Sequence, residues 1–241
     1  MSETLENRAS KLNTQNFLSR GCYLYLLGTL LVVLLAACQP RAVPVDLPDD
    51  SFKPEKILVL PFTNMADIYG EGQSVRCPLC GTMMTTGEVK EGADGFLTAQ
   101  LSELLSKQMS SSIISSDRAK GVYTALLDEE GLLFPEVGVV AKTGRHLGAD
   151  AVIVGNIYRF RERVGSDFGA KRPASVAFTL AMIRVDDKSV VWTGVFDETQ
   201  QSLMENLFNI GTFFKRRGKW LTAGELAVFG LRDMLKELPN S

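Results

Sequence analysis

Five residues near the first third of the chain have types and spacing that could do chemistry: Cys77-Pro78-Leu79-Cys80-Gly81, preceded by Arg76. A tight turn between two such cysteines aims both sulfurs at one point, and Gly81 permits the backbone angle needed beside the second of them, which is the form of a zinc knuckle. A structural zinc site takes four ligands. The chain has four cysteines, Cys22, Cys38, Cys77 and Cys80, and a single histidine, His146. Zinc at Cys77 and Cys80 would therefore need a second copy to contribute its own pair, or His146 and a carboxylate to come near. In an oxidising compartment the same two thiols close as a disulfide that staples their loop. A thiol-redox role is the third reading. The residues after Cys80, Thr-Met-Met-Thr-Thr-Gly, do not read as the helix on which thioredoxin-type pairs sit. Heme attachment is excluded, because position 81 would have to be histidine.

The compartment follows from another cysteine. Tyr23 to Ala37 is an uncharged, mainly apolar run of fifteen residues, preceded by Arg20. A membrane-spanning helix needs about 20 apolar residues, whereas the core of a signal peptide needs about 7–15. The run ends in Leu35-Ala36-Ala37-Cys38, which matches the bacterial lipobox, where the thiol takes diacylglycerol and the chain is then cut just before it. Residues 1–37 are read as a lipoprotein signal peptide and Cys38 as the lipidation site. Residues 38–54 are the lipidated tether, extended because proline fixes φ and supplies no amide donor. Each buried methylene contributes about 0.8 kcal/mol, so two or three acyl chains hold a protein on a membrane durably. Gln39 follows the cysteine. In lipoprotein sorting an Asp there favours the inner membrane, so its absence implies the periplasmic face of the outer membrane.

Net charge is −2, with 26 basic and 28 acidic side chains, which excludes a dedicated nucleic-acid binder. Contacts to anions must come from local patches. Arg159, Arg161 and Arg163 alternate on one face of a predicted strand, with Phe160 and Val164 facing the other way and Lys171 and Arg172 just beyond the hairpin tip. The stretch FFKRRGKW sets Phe213, Phe214 and Trp220 among Lys215, Arg216 and Arg217. Both patches suit an anionic glycan, a lipid headgroup or an acidic partner; both also suit a plain solvated surface or connector. No catalytic motif appears, neither GxSxG nor a P-loop, and His146 at a helix end complements the dipole. The chain is not expected to be an enzyme, and no cofactor is expected beyond the zinc reading.

The elements that must position these residues follow from periodicity. Lys56–Phe62 reads as a buried strand, residues 92–109 as a helix with Leu97, Leu101, Leu104, Leu105 and Met109 on one face, and SSSIISS as a short strand. Helices follow at about 117–130 and 136–147, with Gly148 as a carboxyl cap. Residues 149–164 and 174–185 read as a long strand and its hairpin partner, and SVVWTGVFDETQQ as a third strand. Thr222-Ala223-Gly224-Glu225 is a capping box, with Val228, Leu231, Leu235 and Leu238 as the buried stripe of the last helix. The fold class is α/β: a single mixed sheet of about five strands, the last three an antiparallel meander, flanked by helices over residues 55–241. The CPLCG segment lies near 69–91, between the first strand and the first long helix; relative to the families that the chain resembles, described next, it is an insertion.

KILVLPFTN followed by a helix, then LGADAVIVGNIYRF and FTLAMIRVDDKSVVWTGVFDE, resembles the lipoproteins around the curli secretion channel. The same pattern occurs in the penicillin-binding-protein activator lipoproteins, and the fold is shared with the amino-terminal domain of TolB. The resemblance implies a periplasmic α/β domain that binds partners or forms homo-oligomers without catalysis. The channel-forming members carry long membrane-crossing hairpins. Here the corresponding tip, RFRERVGSDFGAKRPA, is short and charged, against the ~9–11 residues with an apolar outer face that a barrel strand needs, so a pore is rejected. The function expected is a lipid-anchored binding or assembly protein of the envelope with an unidentified protein partner; the alternative is a zinc or thiol-redox lipoprotein acting through Cys77 and Cys80. Mass measurement of the mature chain should find residues 1–37 removed and Cys38 acylated. A chain that retains the leader with a bare thiol refutes this placement.

Overall fold

Ile57, Leu58 and Val59 have no solvent exposure, and they fix where the sheet begins. Side chains alternate across a strand, so a run that is apolar on both sides is stable only where both faces are covered. In the computed structural model, which describes residues 52–133, 136–166, 169–200 and 220–238, β1 (Lys56–Val59) lies between two parallel neighbours. Ile57 stands opposite Ile113 of β5 (Ser112–Ile114) on one side and Ala151 of β6 (Ala151–Arg161) on the other. Asp150 ties the pair at its start, its Oδ2 accepting the Glu55 amide at 3.0 Å and the Lys56 amide at 2.9 Å. The strand ends before the expected Phe62, because Pro61 has no amide to give. Pairing with β6 resumes at β2 (Thr63–Asn64).

β6 runs antiparallel to β9 (Ser175–Arg184), and β9 to β10 (Val190–Thr199). The order β5-β1-β6-β9-β10 is the mixed sheet with an antiparallel tail that the sequence predicts. The long strand expected over 149–164 is shorter than that. It closes at Arg161 because Glu162 turns away to accept the amides of Arg163 (3.1 Å) and Ala223 (2.9 Å). A separate small hairpin, β7 (Val164–Ser166) with β8 (Gly169–Arg172), leads back into β9.

One face of the sheet carries α2 (Ala93–Gln108) and α5 (Ala223–Met234). Leu97, Leu101 and Leu105 pack there with Leu226 and Leu231 over Ile57, Ile153, Phe178 and Leu180. Leu104 of the expected stripe is only half-buried. In α5 the buried face is Ala223, Leu226, Ala227, Gly230, Leu231 and Met234, and Val228 of the expected stripe lies at its margin. The predicted capping box is present: Thr222 Oγ1 accepts the Glu225 amide at 3.1 Å and Glu225 Oε2 accepts the Thr222 amide at 2.9 Å. A cap of this kind contributes about 1 kcal/mol.

The other face carries α3 (Ser116–Glu130) and α4 (Val137–Leu147), with Tyr123, Leu126, Val139 and Val140 over Leu58, Leu60, Val152 and Ile183. Gly148 caps α4 as predicted. Among the described residues no helix is long and apolar enough to cross a membrane.

Gly155 of β6 is required by a close approach. A Cβ there would lie 2.6 Å from Phe62 Cζ, and Phe62 is 4% exposed with its ring edge-on to Phe178. Gly155→Ala is predicted to destabilise the domain by about 1–3 kcal/mol through overpacking, read as a lower urea midpoint. An unchanged midpoint would show that the ring has room to move.

Candidate functional site

The CPLCG segment is built as a docked hairpin. The short helix α1 (Met65–Tyr69) starts at Asn64, whose Oδ1 accepts the Ala66 amide at 3.0 Å, and it buries Met65. Thr86, 2% exposed, closes the excursion that follows. Its hydroxyl donates to Gly70 O at 2.7 Å and accepts the Gln73 amide at 2.9 Å, while its own amide donates to Gln73 O at 2.9 Å. Inside that knot β3 (Ser74–Arg76) pairs antiparallel with β4 (Met83–Thr85), Val75 opposite Met84. Alternation then does the sorting. Val75 and Met84 turn inward and join Met65, Cys77, Tyr158 and Ala177 in a separate apolar cluster, while Met83 is left 59% exposed.

At the tip, the Cys77 amide donates to Thr82 O at 2.8 Å and the Gly81 amide to Cys77 O at 3.0 Å. Gly81 sits at φ +72°, a conformation that other residues reach only with strain. Cys77 and Cys80 are joined as a disulfide with their Cα atoms 5.5 Å apart, within the usual span for such bridges. The bridge closes the tip of the hairpin. In the bridged form neither sulfur offers the thiolate that zinc takes. Among the described residues no three His, Cys, Asp or Glu side chains gather where they could hold a metal ion. His146 is exposed in the last turn of α4, with Nδ1 donating to Lys142 O at 2.9 Å.

Beneath the bridge the sheet is polar, which the sequence reading missed. Register places Thr63, Asn156 and Thr179 side by side across β2, β6 and β9. Asn156 is 1% and Thr179 2% exposed, and Thr179 Oγ1 lies 3.7 Å from Cys77 Sγ. A disulfide sulfur has no proton, so the threonine hydroxyl is the donor there. The signal was available: single polar residues inside the apolar runs AVIVGNIYRF and ASVAFTLAMI.

The arginine stripe divides. The β6–β9 register shifts between Ile157 and Arg159, which brings Arg159 opposite Ala177. Its side chain is 15% exposed; its guanidinium donates to Ser175 Oγ and to Thr85 O (3.2 Å) and pairs with the Asp197 carboxylate. It binds the hairpin to two strands of the sheet. Arg161 and Arg163 keep partial exposure at the end of β6, and Lys171 and Arg172 are exposed on β8, where Arg172 Nη1 lies 3.3 Å from Glu88 Oε2. Trp220 is half-buried, next to Leu221, whose amide donates to Gln200 Oε1 at 2.8 Å. Cys38, Lys215, Arg216 and Arg217 lie outside the described residues.

A cleft of about 340 Å³ opens where α2 and α5 begin. Its floor is Phe96 edge-on to Phe160, centroids 6.0 Å apart. Its charges answer one another: Lys90 Nζ lies 3.8 Å from Glu162 Oε2, and Glu162 Oε1 already holds the first amide of α5. Little is left over for an anion.

No protein-family model and no curated protein matches the chain. Similar solved structures include the PelC dodecamer from Paraburkholderia phytofirmans, 14% identical over 76% of this chain and 88% of that one, TM-score 0.43. Lipoprotein GNA1162 from Neisseria meningitidis is 15% identical over 68% and 94%, TM-score 0.38. The LpoB C-terminal domain from Escherichia coli is 13% identical over 62% and 87%, TM-score 0.35. Likeness at this level carries none of those proteins' properties over to this chain.

Burial pushes the hydroxyls of Tyr123 and Tyr158, which flank the polar row, up to about 12 from 10, against the opposing pull of Thr63 on the first and of Thr179 and Asn156 on the second. Unfolding lets each phenol ionise near 10, so above that pH the unfolded chain holds fewer protons than the native one. The stability from keeping these groups neutral is complete below pH 10 and is lost as pH rises toward 12. Denaturant midpoints are expected to fall across that window and to fall less steeply in Tyr123→Phe/Tyr158→Phe. Equal slopes in the two proteins would contradict the assignment.

Proposed function

We propose that the chain is a lipid-anchored protein of the bacterial envelope that acts by binding and not by catalysis. The observation that carries this is Leu35-Ala36-Ala37-Cys38 at the end of an uncharged core of signal-peptide length. In this reading Cys38 holds the protein on the periplasmic face of the outer membrane, and residues 38–54 are the tether. A short link of this sort raises the local concentration of the domain at a partner. The partner is an envelope protein in an assembly or secretion complex, and copies of the chain associate with one another.

The docking surface we assign is cationic. Arg161 and Arg163 at the end of β6 and Lys171 on β8 supply positive charge, Arg172 being held beside Glu88, and Lys215, Arg216, Arg217 and Trp220 add a second group. Arg159 contributes by holding the hairpin in place and not by direct contact. The mutual neutralisation of Lys90 and Glu162 supports a surface role over a substrate cleft.

Crosslinking in cells tests the reading. A defined envelope protein and a second copy of the chain should be captured, and capture should be lost in Cys38→Ser. Arg216→Glu with Arg217→Glu should lower the yield severalfold without changing the amount of protein. Unaltered capture by the Cys38→Ser chain would refute the anchored role, and unaltered capture by the double variant would remove that patch.

A further inference from the structure

We propose that the Cys77–Cys80 bridge is a thiol–disulfide exchange site with a fixed polarity: an incoming thiolate attacks Cys80, and Cys77 is the sulfur that leaves. This activity goes beyond the binding role and does not depend on it. Three features of the hairpin tip converge on the assignment.

The first is access. Cys77 is 2% exposed, packed with Met65, Met84 and Tyr158, whereas Cys80 keeps part of its surface in solvent. A nucleophile must approach along the axis of the bond it breaks, and here only the Cys80 end meets water.

The second is stabilisation of the leaving group. The Cys80 amide donates to Cys77 Sγ at 3.1 Å, and Thr179 Oγ1 lies 3.7 Å from the same sulfur. Both donors are already aimed at the atom that gains negative charge when the bond breaks. A buried thiolate would otherwise be costly, and hydrogen bonds to the charged form lower that cost. Thr179 sits on a central strand and Cys80 in a hydrogen-bonded turn, so neither donor has to reorganise.

The third is charge. Arg76 extends along the turn, Nε donating to Gly81 O at 3.2 Å, so its guanidinium is held at the backbone of the residue after Cys80. It attracts an anionic nucleophile to Cys80.

The substrate class is a dithiol. Its first thiolate forms a bond to Cys80 Sγ as the Cys77–Cys80 bond breaks, and the electron pair leaves on Cys77 Sγ. The second thiol of the same molecule, as its thiolate, then displaces the mixed disulfide. The dithiol departs as a disulfide, and its two electrons and two protons remain on Cys77 and Cys80 as two thiols.

Glutathione, a monothiol, stops the reaction at the first step and serves as the probe. The full chain in detergent is treated with glutathione under native conditions, quenched with N-ethylmaleimide and cleaved after Arg76 and Lys90, and fragmentation locates the adducts. Glutathione should be found on Cys80 and the maleimide on Cys77, in about tenfold excess over the reverse arrangement. Thr179→Val and Arg76→Gln should each slow adduct formation by roughly threefold or more, the second with reduced dependence on salt. Arg76 is exposed, so its replacement tests the charge without disturbing the packing. Adducts mainly on Cys77, adducts that form only in denaturant sufficient to unfold the chain, or rates unchanged in both variants would overturn the proposal.

Discussion

A sheet with apolar side chains on both faces has to be covered on both, and the length of its central strands decides how. β6 has eleven residues and β9 ten, so at ~3.3 Å per residue each runs well over 30 Å. α4, also eleven residues, spans only ~16 Å. On the face covered by α3 and α4 the helices therefore bury Val152, Val154, Ala181 and Ile183 but stop short of Tyr158 and Ala177. The CPLCG hairpin covers that remainder. Its inward residues, Val75, Cys77 and Met84, do for the far end of β6 and β9 what the helices do for the near end. The hairpin completes the core.

That requirement explains why the hairpin is tied down so heavily. Two strands of three residues each would not hold together alone in water. Thr86 knots the base, the disulfide closes the tip, and Arg159 binds Thr85 to Ser175 and Asp197 across the sheet. Residues 87–90 then run beside the bulged end of β6, the Gly87 amide donating to Tyr158 O at 2.8 Å and Glu88 O accepting the Phe160 amide at 2.9 Å. The ladder that β1 cannot extend past Pro61 is completed by the chain leaving the hairpin. The bulge at Tyr158 turns Arg159 inward, so a cation that counts as surface charge in the sequence becomes a cross-strand tie.

Periodicity made the main fold legible because burial there follows a simple rule. KILV, AVIVGNIYRF and ASVAFTLAMI are too apolar to face water on either side, and the leucine spacing of residues 97–105 has one reading. The sheet, the paired helical layers, the Gly148 cap and the Thr222 box all follow from those patterns. The hairpin was hidden because its strands have three residues, too few for alternation to register, and its pairing partner is set by a turn chemistry shared by several functions. Of the expected last-helix stripe Leu231, Leu235 and Leu238 are buried, and only Val228 falls at the margin, because small residues, Ala227 and Gly230, make the closest approach: a Cβ on Gly230 would lie 2.7 Å from the Phe196 ring. A hydrophobicity pattern gives weight to large side chains, whereas close packing of a helix on a sheet selects small ones.

The placement of the two ends of the domain bears on how a tethered protein would present its chemistry. Asp150 clasps Glu55 and Lys56, so the chain enters the sheet at the beginning of β1 and β6. β6 runs from that clasp toward Tyr158 and Arg161, and the disulfide lies over its middle, about five residues or ~17 Å along the strand, where Asn156 pairs with Thr179. The cations of β8 lie past the far end of β6. Both candidate surfaces therefore sit away from the point where the chain enters the sheet. The separation between that entry point and the far rim is the length of the sheet itself. What sets that length is the long pairing of β6 with β9, whose far end is buried beneath the docked hairpin.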